Sequence, residues 1–300
     1  MHVALIIPTL NAAPVWEALL SGILQQSLAP DEIIVIDSSS ADGTADRARA
    51  AGFTVIEIAR SEFNHGGTRQ AATLRVQRAD VLIYLTQDAV LHGTESFRSI
   101  VAAFSDPTIG AAYGRQLPRP NSSASEAHAR LFNYPPVSQV RSWQSRTTLG
   151  FKSIFFSNTF GAFRRDALIS VGGFSPDTNF GEDSLAVARL HRAGWRTAYV
   201  SEALVEHSHA YSLLAEFRRY VEIGIFHGRE RWLVEEFGSA SGEGRRFVTS
   251  ELRYLSTHAP LQIPSAVLRT LAKYIAYRAG RLKGSQSPST KRNLTAREQG

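Results

Sequence analysis

The chain is expected to fold as an α/β protein with a mostly parallel central sheet flanked by helices. Three observations carry that expectation: short apolar runs rich in Val and Ile, helical stretches between them, and short connections that leave consecutive elements as neighbours. The first run, Val3 to Pro8, is a strand that ends in a polar turn, and a helix from about Ala13 to Gln26 follows it. Glu32 to Asp37, Thr54 to Ile58 and Val81 to Thr86 repeat the pattern, separated by helices at about Asp42 to Ala51 and Thr68 to Arg78. A helix at Thr94 to Phe104 then leads into a strand at Ile109 to Arg115. From Leu117 to Gly150 four prolines sit among Asn, Ser and Arg, which reads as a long loop or lid. Regular pattern returns at Ile154 to Phe163, with helices near Arg165 to Val171 and Glu182 to Ala193, and a strand near Thr197 to Val200. Leu213 to Phe237 and Ser265 to Leu282 carry apolar residues at helical spacing, and the last residues are polar enough to expect disorder. The expected organisation is a principal domain over 1–210, a helical carboxyl-terminal extension over 211–284 and a disordered basic tail over 285–300. There is no internal repeat.

Composition narrows the chemistry. Of the 300 residues 43% are apolar, enough for a core, and none is Cys. That excludes a disulfide framework, a thiolate metal site and a thiol nucleophile, and leaves oxygen and imidazole groups to do the work. No basic-then-apolar export signal opens the chain, and no apolar run approaches the length of a membrane span, so a cytoplasmic protein is expected. The net charge of +6 is unevenly placed: residues 1–244 sum to −3 and residues 245–300 to +9. The basic end suits an anionic membrane surface, a nucleic acid or a solvated terminus. A nucleic-acid partner is disfavoured, because no recognition helix, zinc pattern or aromatic-basic repeat is present.

In open parallel sheets ligands bind beyond the carboxyl ends of the strands, where loops converge and helix amino termini present free N–H groups. Three such turns are polar and small: Pro8-Thr9-Leu10-Asn11, Asp37-Ser38-Ser39-Ser40-Ala41-Asp42-Gly43-Thr44 and Thr86-Gln87-Asp88-Ala89. Acids at strand ends, as Asp37 and Asp88 are, bind a base or ribose, or hold a hard cation beside a diphosphate. Taken singly, each has a structural alternative: Asp37 as a turn former, Asp42 as the cap of the next helix. Glu182 and Asp183 open a helix, where they either complement its dipole or supply a general base. In Phe63-Asn64-His65-Gly66-Gly67-Thr68-Arg69-Gln70 the glycines permit close backbone approach and Arg69 offers a fork for phosphate or carboxylate; an ordinary glycine turn is the alternative. His207 and His209, two apart, would share a strand face and suit a metal; scattered surface histidines, the commoner case, are the alternative. No G-x-G-x-x-G follows the first strand, which argues against a nicotinamide oxidoreductase.

Together these motifs resemble the inverting glycosyltransferases of family 2, with the GT-A nucleotide-diphospho-sugar transferase fold, in order from about Val3 to Trp232. The resemblance implies nucleotide-sugar contacts from Pro8, Thr9, Asn11, Asp37, Ser39, His65, Gly66, Arg69, Gln87 and Asp88. It implies Asp183 as catalytic base beside Glu182, and a divalent cation, Mg²⁺ or Mn²⁺, on Asp88 and His207. Gln87 departs from the family, standing where an acid is common. The 63–69 segment, the Thr-Gln-Asp-Ala form, and Glu206-His207-Ser208-His209-Ala210-Tyr211-Ser212 with Phe226-His227-Gly228-Arg229-Glu230 are similar to the bacterial rhamnosyltransferase branch. That branch implies dTDP-L-rhamnose as donor and a glycan or polyprenyl-diphosphate-linked acceptor in surface-polysaccharide synthesis. A UDP-hexose or UDP-N-acetylhexosamine donor is the alternative within the family, and a sugar-nucleotide binding protein without turnover is the alternative outside it. Arg115, Arg119, Arg130, Arg141 and Arg146, with Phe132, Tyr134 and Trp143, suit an acceptor-facing lid or a packed loop. Leu268, Leu271, Ile275 and Leu282 alternate with Arg and Lys, as in a helix lying on an anionic bilayer or packed on its own domain or a second subunit.

Overall fold

The computed structural model describes residues 1–208, 211–238 and 241–286. His209 and the expected tail from residue 287 lie outside the described residues. Among the described residues nine strands form one sheet: β1 (Val3–Thr9), β2 (Glu32–Asp37), β3 (Thr54–Glu57), β4 (Val81–Leu85), β5 (Val90–Leu91), β6 (Ile109–Leu117), β7 (Gln139–Arg141), β8 (Phe160–Arg164) and β9 (Arg196–Glu206). The helices are α1 (Trp16–Leu24), α2 (Thr44–Ala50), α3 (His65–Arg75), α4 (Ser96–Ala102), α5 (Ala124–Asn133), α6 (Arg146–Leu149), α7 (Arg165–Ser170), α8 (Glu182–Arg192), α9 (Leu213–Arg229), α10 (Arg231–Phe237), α11 (Ser241–His258) and α12 (Ile263–Gly284).

Two compact units partition the chain. The first holds Met1–Arg119, Tyr134–Trp143 and Ile154–His207; the second holds Pro120–Asn133, Gln144–Ser153 and the described residues from Ser208 onward. The chain therefore enters the second unit three times, whereas a single boundary near 210 was expected.

In the first unit the strands run in the order β3-β2-β1-β4-β8-β6-β9-β5, with β7 on β9. The α/β class expected from the sequence is present. The amino-terminal half, β3-β2-β1-β4, is parallel throughout, but β8 pairs antiparallel with both β4 and β6, and β5 and β7 pair antiparallel with β9, so the sheet as a whole is mixed. Val3, Leu5, Ile7, Val81, Ile83 and Leu85 are buried and pack with Trp16, Leu19 and Ile23, three and four apart on α1. Burial of both alternating sets in β1 and β4 is what a covered parallel sheet requires. Between β6 and β9 the register jumps: Gly114 faces Val200, yet Arg115 faces Leu204. A side chain at 114 would meet the Phe160 ring at 2.4 Å and the Ala203 carbonyl at 2.5 Å, so glycine is needed there. Irregularities of this kind re-aim the residues that follow them.

The expected loop from Leu117 to Gly150 is ordered instead. β6 runs on through Leu117, β7 pairs with β9, and α5 starts at a capping box: Ser123 N–H donates to Glu126 Oε2 while Ser123 Oγ accepts from Glu126 N–H. Of its three aromatics Tyr134 is core, while Phe132 and Trp143 are part-exposed. Tyr134 packs with Tyr113, Phe155 and Tyr199 in the first unit, and Arg141 lies buried over the Tyr113 ring. Phe132 packs with His128 and Phe247 in the second unit.

The second unit is built on α9 and α12, whose backbones touch through glycines on both sides. A Cβ at Gly224 would lie 2.3 Å from the Tyr277 carbonyl, one at Gly228 2.5 Å from the Arg281 carbonyl, and one at Gly280 2.1 Å from the Val221 carbonyl. Glycines four apart on facing helices allow this close approach. No helix among the described residues is long and apolar enough to cross a membrane.

Candidate active site

At the ends of β1 and β2 the two turns are knitted together. The buried Asp37 carboxylate accepts from Thr9 Oγ1 (2.9 Å), Ser40 Oγ (2.6 Å) and Ser40 N–H (2.8 Å). Asn11 N–H donates to Ser40 Oγ and Asn11 Oδ1 accepts from Ala41 N–H, while Ser39 Oγ donates to the Ile58 carbonyl. Asn11 and Ser39 are the non-glycine residues with positive φ among those described, at 49° and 56°. Strained backbone of this kind persists only where surrounding bonds over-determine it, and it concentrates at functional sites. Asp42 Oδ1 accepts from Thr44 N–H and Oδ2 from Ala13 N–H, but the cap position of α2 falls on Gly43, in the left-handed region, so the capping role expected of Asp42 is taken by its neighbour. Pro8 lies beyond Ile6, where the pairing of β1 with β4 stops, so it is paired to β2 alone.

After β4, Gln87 grips the first turn with both ends of its amide. Oε1 accepts from Leu10 N–H (2.7 Å) and Nε2 donates to the Leu10 carbonyl (3.0 Å). A carboxylate could not donate the second bond, which explains why an amide stands here in place of an acid. Gln87, expected at the donor, thus holds the first turn through both ends of its side-chain amide. Asp88 Oδ2 lies 3.3 Å from His207 Nε2. His207 Nδ1 is 3.0 Å from Gln116 Oε1, and Gln116 Nε2 donates to Ser157 Oγ (2.9 Å). With Nδ1 as the donor, the Nε2 lone pair of the buried ring is aimed at the Asp88 side, the usual arrangement for a metal-binding imidazole.

At the start of α8, Gly181 takes a positive φ of 77° and delivers Glu182 and Asp183 into the first turn. Glu182 is buried and paired: Arg69 Nη1 lies 3.0 Å from Glu182 Oε1, and Asn158 Nδ2 donates to the same oxygen (3.2 Å). Both partners of that ion pair are about 95% buried, and the same guanidinium contacts the His65 ring nitrogen and carbonyl. Arg69, expected to offer a fork to phosphate or carboxylate, holds the carboxylate of Glu182. His65 and Gly66 lie inside α3, capped by Asn64, which accepts from Gly67 N–H. Gly66 donates its N–H to the Thr178 carbonyl, and a Cβ there would sit 1.9 Å from the Ser175 carbonyl. The close approach its missing side chain allows is to this chain's own backbone.

Among the described residues Asp183 has no such partner on its carboxylate. It accepts from Ser184 N–H (2.7 Å) and, at 3.4 Å, from Asn158 N–H, and part of its surface remains open. Burial of the carboxyl, reinforced by the neighbouring Glu182 charge, pushes its pKa up to about 7. That is where a general base is most effective near neutral pH.

One short segment joins these groups. Ser157 accepts from Gln116, Asn158 holds Glu182 and Asp183, and the Thr159 carbonyl accepts from Thr86 N–H beside Gln87 and Asp88. The Asp88–His207 pair and Asp183 are therefore bound to adjacent residues of one strand approach. Sequence reasoning missed Gln116 and Asn158. The available signal was a polar residue inside an otherwise apolar strand in one case and a lone amide before a strand in the other. Arg119 also reaches the site by donating to the Asp88 carbonyl. The Phe226–Glu230 motif, by contrast, serves packing in the second unit: His227 is buried beside Phe151 and Tyr277, and Glu230 accepts from Trp232 Nε1.

The chain is similar to proteins of one kind. Residues 2–221 match the family described as "Glycosyltransferase like family 2". The O-antigen chain rhamnosyltransferase RfbN of Salmonella typhimurium is 43% identical over 282 residues, which cover 94% of this chain and 90% of that protein. The O-antigen chain rhamnosyltransferase WbaN of Salmonella anatum is 40% identical over 278 residues, 92% of this chain and 88% of that protein. Among solved structures, the mannosyltransferase PcManGT from Pyrobaculum calidifontis, in complex with GDP-Man and Mn²⁺, superposes with a TM-score of 0.61 at 19% identity, covering 94% of this chain and 86% of that one.

Proposed function

The chain belongs to glycosyltransferase family 2, and from that premise we propose that it inverts the anomeric centre of L-rhamnose while moving it from dTDP-L-rhamnose to a hydroxyl of a glycan acceptor. It is a glycosyltransferase of the GT-A fold whose curated relatives are O-antigen rhamnosyltransferases. The observation that carries the catalytic assignment is the contrast between two adjacent carboxylates: Glu182 tied into a buried ion pair, Asp183 left partly open with its pKa pushed up to about 7.

In this reading the turns at Pro8, Thr9, Asn11, Asp37 and Ser39 form the nucleotide end, held in shape by Gln87. Asp183 takes the proton from the acceptor hydroxyl as that oxygen bonds to the anomeric carbon, and the bond from that carbon to the nucleoside diphosphate breaks on the opposite face. A single displacement inverts the centre. Arg69 and Asn158 keep Glu182 fixed, and through it the first turn of α8 that carries Asp183. Asp88 and the oriented His207 suit a divalent cation, Mg²⁺ or Mn²⁺, since a carboxylate and a neutral imidazole are both accepted donors of such ions. When bound, that ion supplies neutralisation of the charge on the departing diphosphate. Among the described residues no three His, Cys, Asp or Glu side chains gather around a common point, so Asp88 and His207 are the residues that would hold the ion in this reading, with diphosphate and water as further ligands. The acceptor assigned here is a glycan carried on a polyprenyl diphosphate at the cytoplasmic face of the membrane, the chemistry that suits the relatives' O-antigen role.

The test is a panel of nucleotide sugars, with and without divalent cation, scored for turnover and thermal shift. Turnover of dTDP-L-rhamnose that needs the cation is expected. Preference for a UDP-hexose or UDP-N-acetylhexosamine rejects the donor, and full activity in chelator rejects the cation.

A further inference from the structure

We propose that the outward face of α12 is a docking surface for an anionic phospholipid bilayer. The argument starts from what α12 does not bury. The helix packs on α9 with its small residues: Ala266, Ala276, Gly280 and Gly284 are buried, with glycines meeting backbone carbonyls of α9. Its large apolar residues point the other way. Val267, Leu268, Leu271, Tyr274, Ile275 and Leu282 are each more than half exposed, and their spacing of three and four places them on one stripe. An amphipathic helix in a water-soluble fold normally turns such residues inward, and a contiguous exposed apolar face marks an interaction site.

Charge decides the occupant. α12 carries five basic residues and no acid in 22 residues, and beyond Glu251 the rest of the chain holds a single acid, Glu298. Arg269 and Lys273 are used within the unit, both on Glu216 at 2.9 and 2.7 Å. Arg278, Arg281 and Lys283 are exposed along and beside the apolar stripe. A second copy seated on this face by a two-fold axis would bring these cations together with no acid on either helix to oppose them. An anionic bilayer takes both features at once, apolar side chains into the acyl boundary and cations against the headgroups, with Tyr274 at the level where aromatic residues favour the interface. The inference uses only the second unit and stands whether or not the donor assigned above is correct.

Cosedimentation of the full chain with phosphatidylcholine vesicles, with and without phosphatidylglycerol, tests it. Binding that requires phosphatidylglycerol and weakens with salt is expected. Leu271→Glu with Ile275→Glu should abolish binding. Arg278→Gln, Arg281→Gln and Lys283→Gln together should weaken it on the order of a hundredfold, since each basic residue near an anionic surface contributes about fivefold. Turnover of the donor without vesicles should be unchanged in both variants, which with unchanged helicity by circular dichroism shows that they fold. Absence of binding by the full chain, or binding that survives both sets of substitutions, overturns the proposal. So does a concentration-dependent dimer, abolished by Leu271→Glu with Ile275→Glu, in a chain that ignores vesicles, because a second copy then covers the face.

Discussion

The turn after β2 and the first turn of α8 each present an aspartate, and the two are built in opposite ways. Asp37 is 1% exposed and takes two hydroxyls and one amide, so three of its roughly four lone-pair sites shape the turn. Asp183 takes one short and one long amide contact, stands beside a second carboxylate and keeps its pKa pushed up to about 7. Hydrogen-bond donors turn a carboxylate into scaffold. Desolvation and a like charge, with few donors, leave it basic. Residue type is the same in both places; the surroundings choose between binding frame and base.

The largest effect should come from the frame of the second turn. Arg69→Met leaves Glu182 buried without its countercharge, and a loss of about 3–5 kcal/mol in chemical denaturation is expected; a smaller loss, under about 1 kcal/mol, would mean that the pair does not hold α8. Next, Asp183→Asn should lower kcat on the order of a hundredfold or more while dTDP-L-rhamnose affinity by titration calorimetry stays within about twofold. Normal turnover at saturating donor would reverse the comparison and make Asp183 the binding residue. Asp37→Asn sharpens the other side: an amide N–H₂ facing the Thr9 and Ser40 hydroxyls should cost about 1–3 kcal/mol of stability and raise the donor KM, with kcat at saturation largely kept.

The smallest and most diagnostic effect is in pH dependence. kcat/KM should rise with pH through about 7 as Asp183 ionises, and that limb should vanish in Asp183→Asn. Stability should move the opposite way. Because the folded-state pKa lies above the ordinary 3.8, the native protein binds the extra proton between these values, so this contribution is full below about pH 4 and is lost as pH rises through about 7. Denaturation profiles of the Asn variant should be flatter across that window.

Much of the frame was legible in the chain. Val/Ile runs marked the parallel strands because a covered sheet demands apolar residues on both faces, and the polar turns at their ends located Thr9, Asp37 and Asp88. The ordered stretch after Leu117 was misread because its prolines outweighed a visible S-x-x-E box at Ser123 to Glu126. For Arg69 the sequence left phosphate and carboxylate both open, because a basic residue after two glycines looks the same in either setting, and the fold supplies the buried Glu182 carboxylate.

By itself, then, the sequence determined the strands, the strand-end turns and the residue types available for chemistry, since those depend on local periodicity and turn preference. Tertiary structure alone decided which groups work as partners. Gln116 meets His207 across 91 positions, only after β9 slips its register beside Gly114. Arg69 reaches Glu182, and α12 turns its leucines outward, because glycines there let backbones approach more closely than any pattern along one helix reveals. Burial and countercharge are properties of what surrounds a side chain, and the chain supplies those surroundings only once it is folded.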